Sequence, residues 1–256
     1  MTPKHPIYIL SKGRWDACTT ADFLIEDKVE FKIAVEPEEA DLYIEKYGFN
    51  RIVITPEAFS KQRLGPVPVR NFIREHSQKT GHKWHWQLDD DLKQIYYYTK
   101  GKGVRANSGE AFAKIEQFND MYSNIGIIGL SSKVFAFSKS KPFQINQQVY
   151  GCILFNNDMP YKWRCLGEDT DMTLQALSGK FCTVSMNVYV FDTVTSGSNK
   201  GGNCDLYKDD GRLQRTKALI KNWPHLITIS KKWGRPNHDL GHIWKKFDFP
   251  LIRKDI

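Results

Sequence analysis

A chain of 256 residues, 41% hydrophobic and 26% charged, is long enough for one sizeable core and short for two independent domains, and this composition excludes a disordered or fibrous protein. The formal net charge of +8 favours an anionic partner such as nucleic acid. No apolar window reaches the roughly 20 residues of a membrane span, so the expectation is a cytoplasmic, monomeric, single-domain protein with no membrane partner. The cysteines Cys18, Cys152, Cys165, Cys182 and Cys204 are scattered without a CxxC pair, and they read as reduced, buried thiols.

"PIYIL" (6–10) and "FKIAV" (31–35) are short β-branched runs. Between them "TTADFLIED" has helical spacing, which predicts a β-α-β opening. "EPEEADLYIEKYG" reads as a helix with Pro37 in its first turn and Gly48 as its stop, followed by the strand "RIVIT". "VPVRNFIREHSQKTG" is another amphipathic helix and feeds into the strand "WHWQL". Strands alternating with helices predict a mixed, mostly parallel α/β sheet flanked by helices. The second half is less regular. It holds a helix near 109–123, the strands "NIGIIGL", "VYGCILFNN" and "KFCTVSMNVYVFD", some of them antiparallel, and the helix "DTDMTLQALSG"; the stretch "TSGSNKGGNCD" reads as a loop.

The strand "WHWQL" ends on Asp89, Asp90 and Asp91. In an open α/β sheet, ligands gather beyond the carboxyl ends of strands, and an extended chain there points Asp89 and Asp91 one way and Asp90 the other. Two carboxylates sharing one hard cation, with water and phosphate completing its shell, suit Mg²⁺ or Mn²⁺ on a diphosphate. The plainer alternative is a solvated acidic turn in which Asp89 or Asp91 caps the next element. A second acidic group, Glu168, Asp169 and Asp171 in "GEDTD", precedes an apolar-periodic helix, where Asp169 or Thr170 can serve as an N-cap and the other acids favour the helix dipole.

"PIYILSKGRWD", the Asp triplet, "LGEDTDMTLQALSGK" and "KKWGRPNHD" stand in an order that resembles the GT-A glycosyltransferases, and more narrowly the TET-associated glycosyltransferases, which glycosylate hydroxymethylpyrimidines in DNA. The likeness runs from residue 6 to about 240. It implies a Rossmann-like GT-A fold with a nucleotide-sugar-binding half at about 1–91 and an acceptor-binding and catalytic half at 92–256. By this resemblance Asp91 is a metal ligand and Asp89 lies nearer the ribose, with Asp90 beside them. Ser11, Lys12, Gly13 and Arg14 make nucleotide contacts, and Glu36 and Arg70 meet the base and phosphates. Asp169 is the general base of an inverting transfer, with Glu168 as the other candidate. His238 stands where many GT-A folds bring a third metal ligand, although this chain has Asn237 and His238 in place of paired histidines. His242 lies four residues on, so a helix would put both imidazoles on one face.

The cofactors implied are a divalent metal, Mn²⁺ or Mg²⁺, and a UDP-sugar donor; the partner is double-stranded DNA carrying 5-hydroxymethylcytosine or 5-hydroxymethyluracil. Lys100, Lys102 and Arg105, with Lys231, Lys232 and Arg235, form basic clusters expected to flank the active-site edge and neutralise phosphates. Tyr96, Tyr97, Tyr98, Phe135, Phe137, Trp233 and Trp244 lie near them and could receive a flipped base. Two other readings stay open: a GT-A enzyme acting on a glycan, lipid or protein, and a non-catalytic nucleic-acid-binding protein whose acids are merely solvated.

Overall fold

The computed structural model describes residues 1–99, 102–136, 141–194, 201–202, 211–232, 235–240 and 243–255. The chain opens with β1 (Ile7–Leu10), α1 (Thr19–Glu26), β2 (Lys32–Val35), α2 (Ala40–Tyr47), β3 (Ile52–Ile54), α3 (Val67–Lys79) and β4 (Trp84–Asp89). It continues through β5 (Leu92–Thr99), β6 (Lys102–Arg105), α4 (Ser108–Asp120), β7 (Ile125–Ser132), the single turn α5 (Lys133–Ala136), β8 (Phe143–Ile145) and β9 (Cys152–Asn156). It closes with α6 (Glu168–Ser178), β10 (Cys182–Thr193), α7 (Gly211–Asn222), β11 (Thr228–Lys232) and β12 (Arg235–Asp239).

Ten strands form one sheet in the order β3-β2-β1-β4-β9-β7-β10-β5-β6, with β8 paired to β10. The expected parallel opening is present: β1 pairs in parallel with β2 and β4, and β2 with β3. β9 then runs antiparallel between β4 and β7, and β7 is parallel to β10. The carboxyl ends of β1, β2, β4, β7 and β10 therefore share one edge of the sheet. Because β9 runs the other way, it is its start, at Tyr150 and Gly151, that reaches this edge.

Alternation along the strands sorts their residues between the two faces. Ile7, Ile9, Trp86 and Leu88 pack into the largest cluster, with Phe23 and Leu24 of α1, Tyr43 of α2 and Phe112 and Ile115 of α4. Tyr8 and Leu10 face the other way, onto Ile73 of α3. On that second face Phe155 and Trp163 pack with Met172 and Ala176 of α6. The same period puts His85, Gln87 and Asp89 on the α3 and α6 side, and this placement assembles the site. A smaller cluster of Cys165, Leu174, Leu219, Ile227 and Ile243 joins α7 and the β11–β12 hairpin to the back of α6. Cys18, Cys152, Cys165 and Cys182 are free and buried, in keeping with the reduced thiols expected; Cys204 lies outside the described residues.

Candidate active site

The acidic run after β4 does not stay extended. The strand ends at Asp89, and Asp90 and Asp91 form a turn into β5 held by Thr20 of α1, whose hydroxyl donates to the Asp89 carbonyl at 2.6 Å and accepts from the Leu92 amide at 2.9 Å. The three carboxylates part company at this turn. Asp90 is buried, accepting from the Ser11 hydroxyl at 2.7 Å and pairing with the Arg14 guanidinium. Asp91 stands at the rim with its side chain 29% exposed, 3.4 Å from Arg14 Nη1. Asp89 turns to the other side and meets Arg70 Nη2 at 3.1 Å, with 41% of its side chain open to solvent. The simple alternation expected from the sequence is thus replaced by a turn in which Asp90 has a structural post.

The 11–14 loop is shaped around that post. Tyr43 Oη and Ser11 Oγ are 2.7 Å apart, and Tyr43 Oη also accepts from the Arg14 amide at 3.1 Å. Gly13 sits at φ +63°, a conformation that disfavours any side chain, and donates its N–H to Glu39 Oε2 at 2.6 Å. The Lys12 carbonyl accepts from the Gly202 amide at 2.8 Å, so the chain beyond β10 returns to this loop. Glu36 accepts from both the amide and the hydroxyl of Ser60, each at 2.7 Å, and so ties down the loop before α3.

Arg70 is placed differently from the phosphate contact expected of it. It lies on the apolar stripe of α3, 2% exposed, and reaches three carboxylates: Asp89 at 3.1 Å, Asp169 at 3.5 Å and Glu168 at 3.8 Å. Gln87 steadies it, accepting from Arg70 Nη1 at 3.2 Å while donating to the Arg70 carbonyl at 3.1 Å. Arg70 is therefore an internal counter-ion, and its complete burial removes it from direct contact with a nucleotide.

The second acidic group opens α6. Gly167, at φ +82°, precedes the helix, and no side chain caps it, so Asp169 and Thr170 are not N-caps. Asp171 is wholly buried and accepts from Arg164 Nε at 3.0 Å, Gln175 Nε2 at 2.9 Å and Trp223 Nε1 at 2.7 Å. Glu168 and Asp169 are left facing Arg70 and Asp89. Asp169 Oδ1 is buried and accepts no hydrogen bond. Burial, reinforced by Glu168 and opposed by Arg70 and Arg215, pushes Asp169 up to about 7. Desolvation of the part of its side chain turned toward Arg70, with the charges of Asp169, Asp91 and Glu168, also pushes the half-open Asp89 up against the pull of Arg70, and burial with Asp90 beside it raises Asp91.

Crowding of this kind leaves the site short of positive charge, which fits a divalent cation held by Asp89 and Asp91. His238 does not join them. It lies in strand β12, where no helical pairing with His242 can form, and His242 itself is outside the described residues. Burial, with Arg215 adding, holds the His238 imidazole down at about 4. No three His, Cys, Asp or Glu side chains among the described residues form a metal-binding group, so a cation here would complete its shell with water and phosphate.

Two residues of the site carry no local signature in the sequence. Tyr150 stands at the carboxyl edge because β9 starts there; burial, with Asp169 and Asp89 adding, pushes its phenol up to about 12, so it stays a neutral donor. The charge of Arg215 of α7 also acts on Asp169. Arg70 did carry a signal, a charge on the buried stripe of Val67, Ile73 and Ser77.

The basic residues divide. β5 leaves the catalytic edge at Leu92 and runs for eight residues, so Lys102 lies at the opposite end of the sheet, on the order of 20 Å from Asp91. Arg105 pairs with Asp27 at 2.9 Å and Glu26 at 3.0 Å at the far end of α1. Lys102 and Arg105 thus do not flank the site; Lys100 is outside the described residues. Lys231 is exposed on the hairpin beside α7, and the side chains of Lys232 and Arg235 lie outside the described residues. Of the aromatics, Tyr96 holds Lys133 4.2 Å over its ring, and Tyr97 and Phe135 are exposed. Tyr98 is half-buried in β5, Trp244 packs on the C-terminal cluster, and Phe137 and Trp233 are outside the described residues.

A half-parallel sheet with acidic groups at its carboxyl edge is the architecture of the GT-A glycosyltransferases. The fold is similar to glucosyl-3-phosphoglycerate synthase from Mycobacterium tuberculosis, a structure containing Mg²⁺ and UDP, with a TM-score of 0.50 and 10% identity over 93% of this chain and 88% of that one. The model of the TET-Associated Glycosyltransferase family matches residues 5–202, most of the chain, and the protein belongs to that family. No curated protein matches it. No helix among the described residues is long and apolar enough to cross a membrane.

Proposed function

We propose that the protein transfers a hexose or pentose from a UDP-sugar to the hydroxymethyl group of 5-hydroxymethylcytosine or 5-hydroxymethyluracil in double-stranded DNA, with inversion at the anomeric carbon. The observation that carries this reading is the meeting of Asp89, Glu168 and Asp169 around buried Arg70 at the carboxyl edge, with Asp91 beside them at the rim against Arg14, in a chain of the TET-associated family. In this assignment residues up to about 91 serve the donor, and the rest supply the base and the acceptor surface.

Asp89 and Asp91 would hold Mn²⁺ or Mg²⁺, which when bound offsets the charge that builds on a departing diphosphate. Asp169 accepts the hydroxymethyl proton as that oxygen bonds to the anomeric carbon, and the carbon's bond to the diphosphate oxygen breaks, the electron pair leaving with UDP. Asp169 is preferred to Glu168 because its Oδ1 accepts no hydrogen bond, and a carboxylate poised near 7 is a stronger base than an ordinary one. Arg70 keeps the acids in register without touching substrate, while Ser11 and Arg14 fix Asp90 and so the turn that presents Asp91.

Nucleoside mass spectrometry tests the reading. DNA containing hydroxymethylcytosine, hydroxymethyluracil or neither is incubated with the protein, Mn²⁺ and a panel of UDP-sugars. A sugar-sized mass gain on one modified base, absent with Asp91→Ala, is the expected result. Metal-dependent UDP-sugar hydrolysis with no gain on any DNA would move the acceptor to a glycan, lipid or protein.

A further inference from the structure

Beyond Gly202, where the family match ends, α7 lies along the first turn of α6 and touches it at successive turns of its inward face. Trp223 donates to Asp171 at 2.7 Å. One turn earlier Leu219 fills the space over Gly167, where a Cβ would meet Leu219 Cδ1 at 2.7 Å. A further turn back on the same face is Arg215, as the spacing of four residues requires. This packing brings Arg215 within electrostatic reach of both Asp169 and His238.

Arg215 stands apart from the other arginines at the site. Arg70 and Arg14 are matched to carboxylates, whereas Arg215 forms no ion pair among the described residues; its Nε, like that of Arg70, is buried without a hydrogen-bond partner. A guanidinium that no carboxylate neutralises, unlike that of Arg70, leaves its charge for an acceptor that arrives with a ligand. The surroundings indicate which kind. The α7 sequence "GRLQRTKALIKN" contains no acid; Arg212 neighbours Arg215 on the helix, and Arg212, Lys217 and Lys221 are exposed, as is Lys231 on the adjoining hairpin. A helix that carries cations and no acid suits a polyanion, and a nucleotide-sugar offers only one diphosphate. That diphosphate would lie across Asp89 and Asp91, on the Arg14 flank of the site.

We propose that Arg215 binds a backbone phosphate of the DNA strand bearing the acceptor base, and so positions the hydroxymethyl group against Asp169. This assignment rests on the DNA-acceptor reading above and adds a residue and a surface outside the matched family region. Arg215 does not take part in the bond changes; it fixes where the acceptor strand lies.

The test compares the wild-type protein, Arg215→Gln and Arg215→Lys. Binding of a fluorescent duplex containing hydroxymethylcytosine is measured across a salt series, and UDP binding is measured by calorimetry with Mn²⁺. Arg215→Gln should weaken duplex binding roughly tenfold, the effect of losing one charge-assisted contact. It should also lower the slope of log affinity against log salt by about 0.9, the contribution of one phosphate. UDP affinity should be unchanged, and Arg215→Lys should restore most of the slope because it keeps the charge. Loss of UDP affinity with duplex binding intact would overturn the assignment in favour of the donor's diphosphate. An unaltered salt slope, even with lowered thermal stability, would overturn it in favour of a structural role. Wild-type protein that neither binds nor modifies this duplex or its hydroxymethyluracil counterpart would defeat the DNA-acceptor reading itself, and this assignment with it; modification by the wild type with an unaltered Arg215→Gln slope would defeat the assignment alone.

Discussion

The acidic run that ends β4 and the acidic run that opens α6 each hold three carboxylates, and each is divided by the same device. In the first, Asp90 is buried against Arg14 and Ser11 while Asp89 and Asp91 stay at the rim. In the second, Asp171 is buried against Arg164, Gln175 and Trp223 while Glu168 and Asp169 face the cleft. One acid in each run is held by several hydrogen bonds; of the other four, Asp89, Glu168 and Asp169 crowd around one shared counter-ion, Arg70, and Asp91 stands at the rim beside Arg14. A buried carboxylate with several donors is held in place, whereas carboxylates crowded beside like charges are ready to take up a proton or a cation.

The largest effect should come from Asp169→Asn, which removes the proposed base while keeping its shape. kcat should fall by about 10²–10⁴-fold. Its effect on folding should have the opposite sign. Because Asp169 titrates near 7 in the folded protein, above an unfolded carboxylate, the folded state holds the proton more tightly, and stability falls as pH rises from about 4 to 7. At pH 8 the free protein carries the cost of a charged Asp169. Asp169→Asn should therefore raise Tm by about 2–4 °C there, the change expected for about 1 kcal/mol.

Arg70→Ala strikes the shared element. Leaving three acids around an empty position should destabilise the fold by about 3–5 kcal/mol in a denaturant titration, and Asp169→Asn in the same chain should recover part of that loss. Next in size is Asp171→Asn, two residues from the base. It should cost about 1–3 kcal/mol through the bonds to Arg164 and Trp223, yet leave kcat of the folded enzyme near the wild-type value. If Asp169→Asn and Asp171→Asn behaved alike, the division within α6 would be wrong. The finest test is the pH profile: kcat/KM should rise about tenfold per unit below pH 7 and level off above it, since only ionised Asp169 accepts the proton. The inflection should vanish in Asp169→Asn.

The parallel opening and both acidic runs were legible in the sequence because their signals are local. A β-α-β opening, acids at the end of "WHWQL" and acids ahead of an apolar helix can each be read within one element, and all three stand where expected. What escaped depends on distant pairings. The reversal of β9 brings Tyr150 to the catalytic edge, and no feature of "VYGCILF" announces strand direction. The basic run "KGKGVR" comes soon after the Asp triplet and so reads as flanking the site, but eight residues of β5 carry Lys102 to the far end of the sheet. His238 fell in a hairpin strand, where its i+4 spacing to His242 loses its meaning. Arg70, expected to meet the nucleotide, lies on the buried stripe of α3 as a counter-ion to three carboxylates.

The division of each acidic run into one structural and two chemical carboxylates is tested most directly by calorimetric titration of UDP, with and without Mn²⁺, into the wild-type protein, Asp91→Ala and Asp171→Asn. The expected result is binding that requires Mn²⁺, is lost in Asp91→Ala and persists in folded Asp171→Asn. UDP binding that is indifferent to Mn²⁺, or that survives Asp91→Ala, would contradict that division.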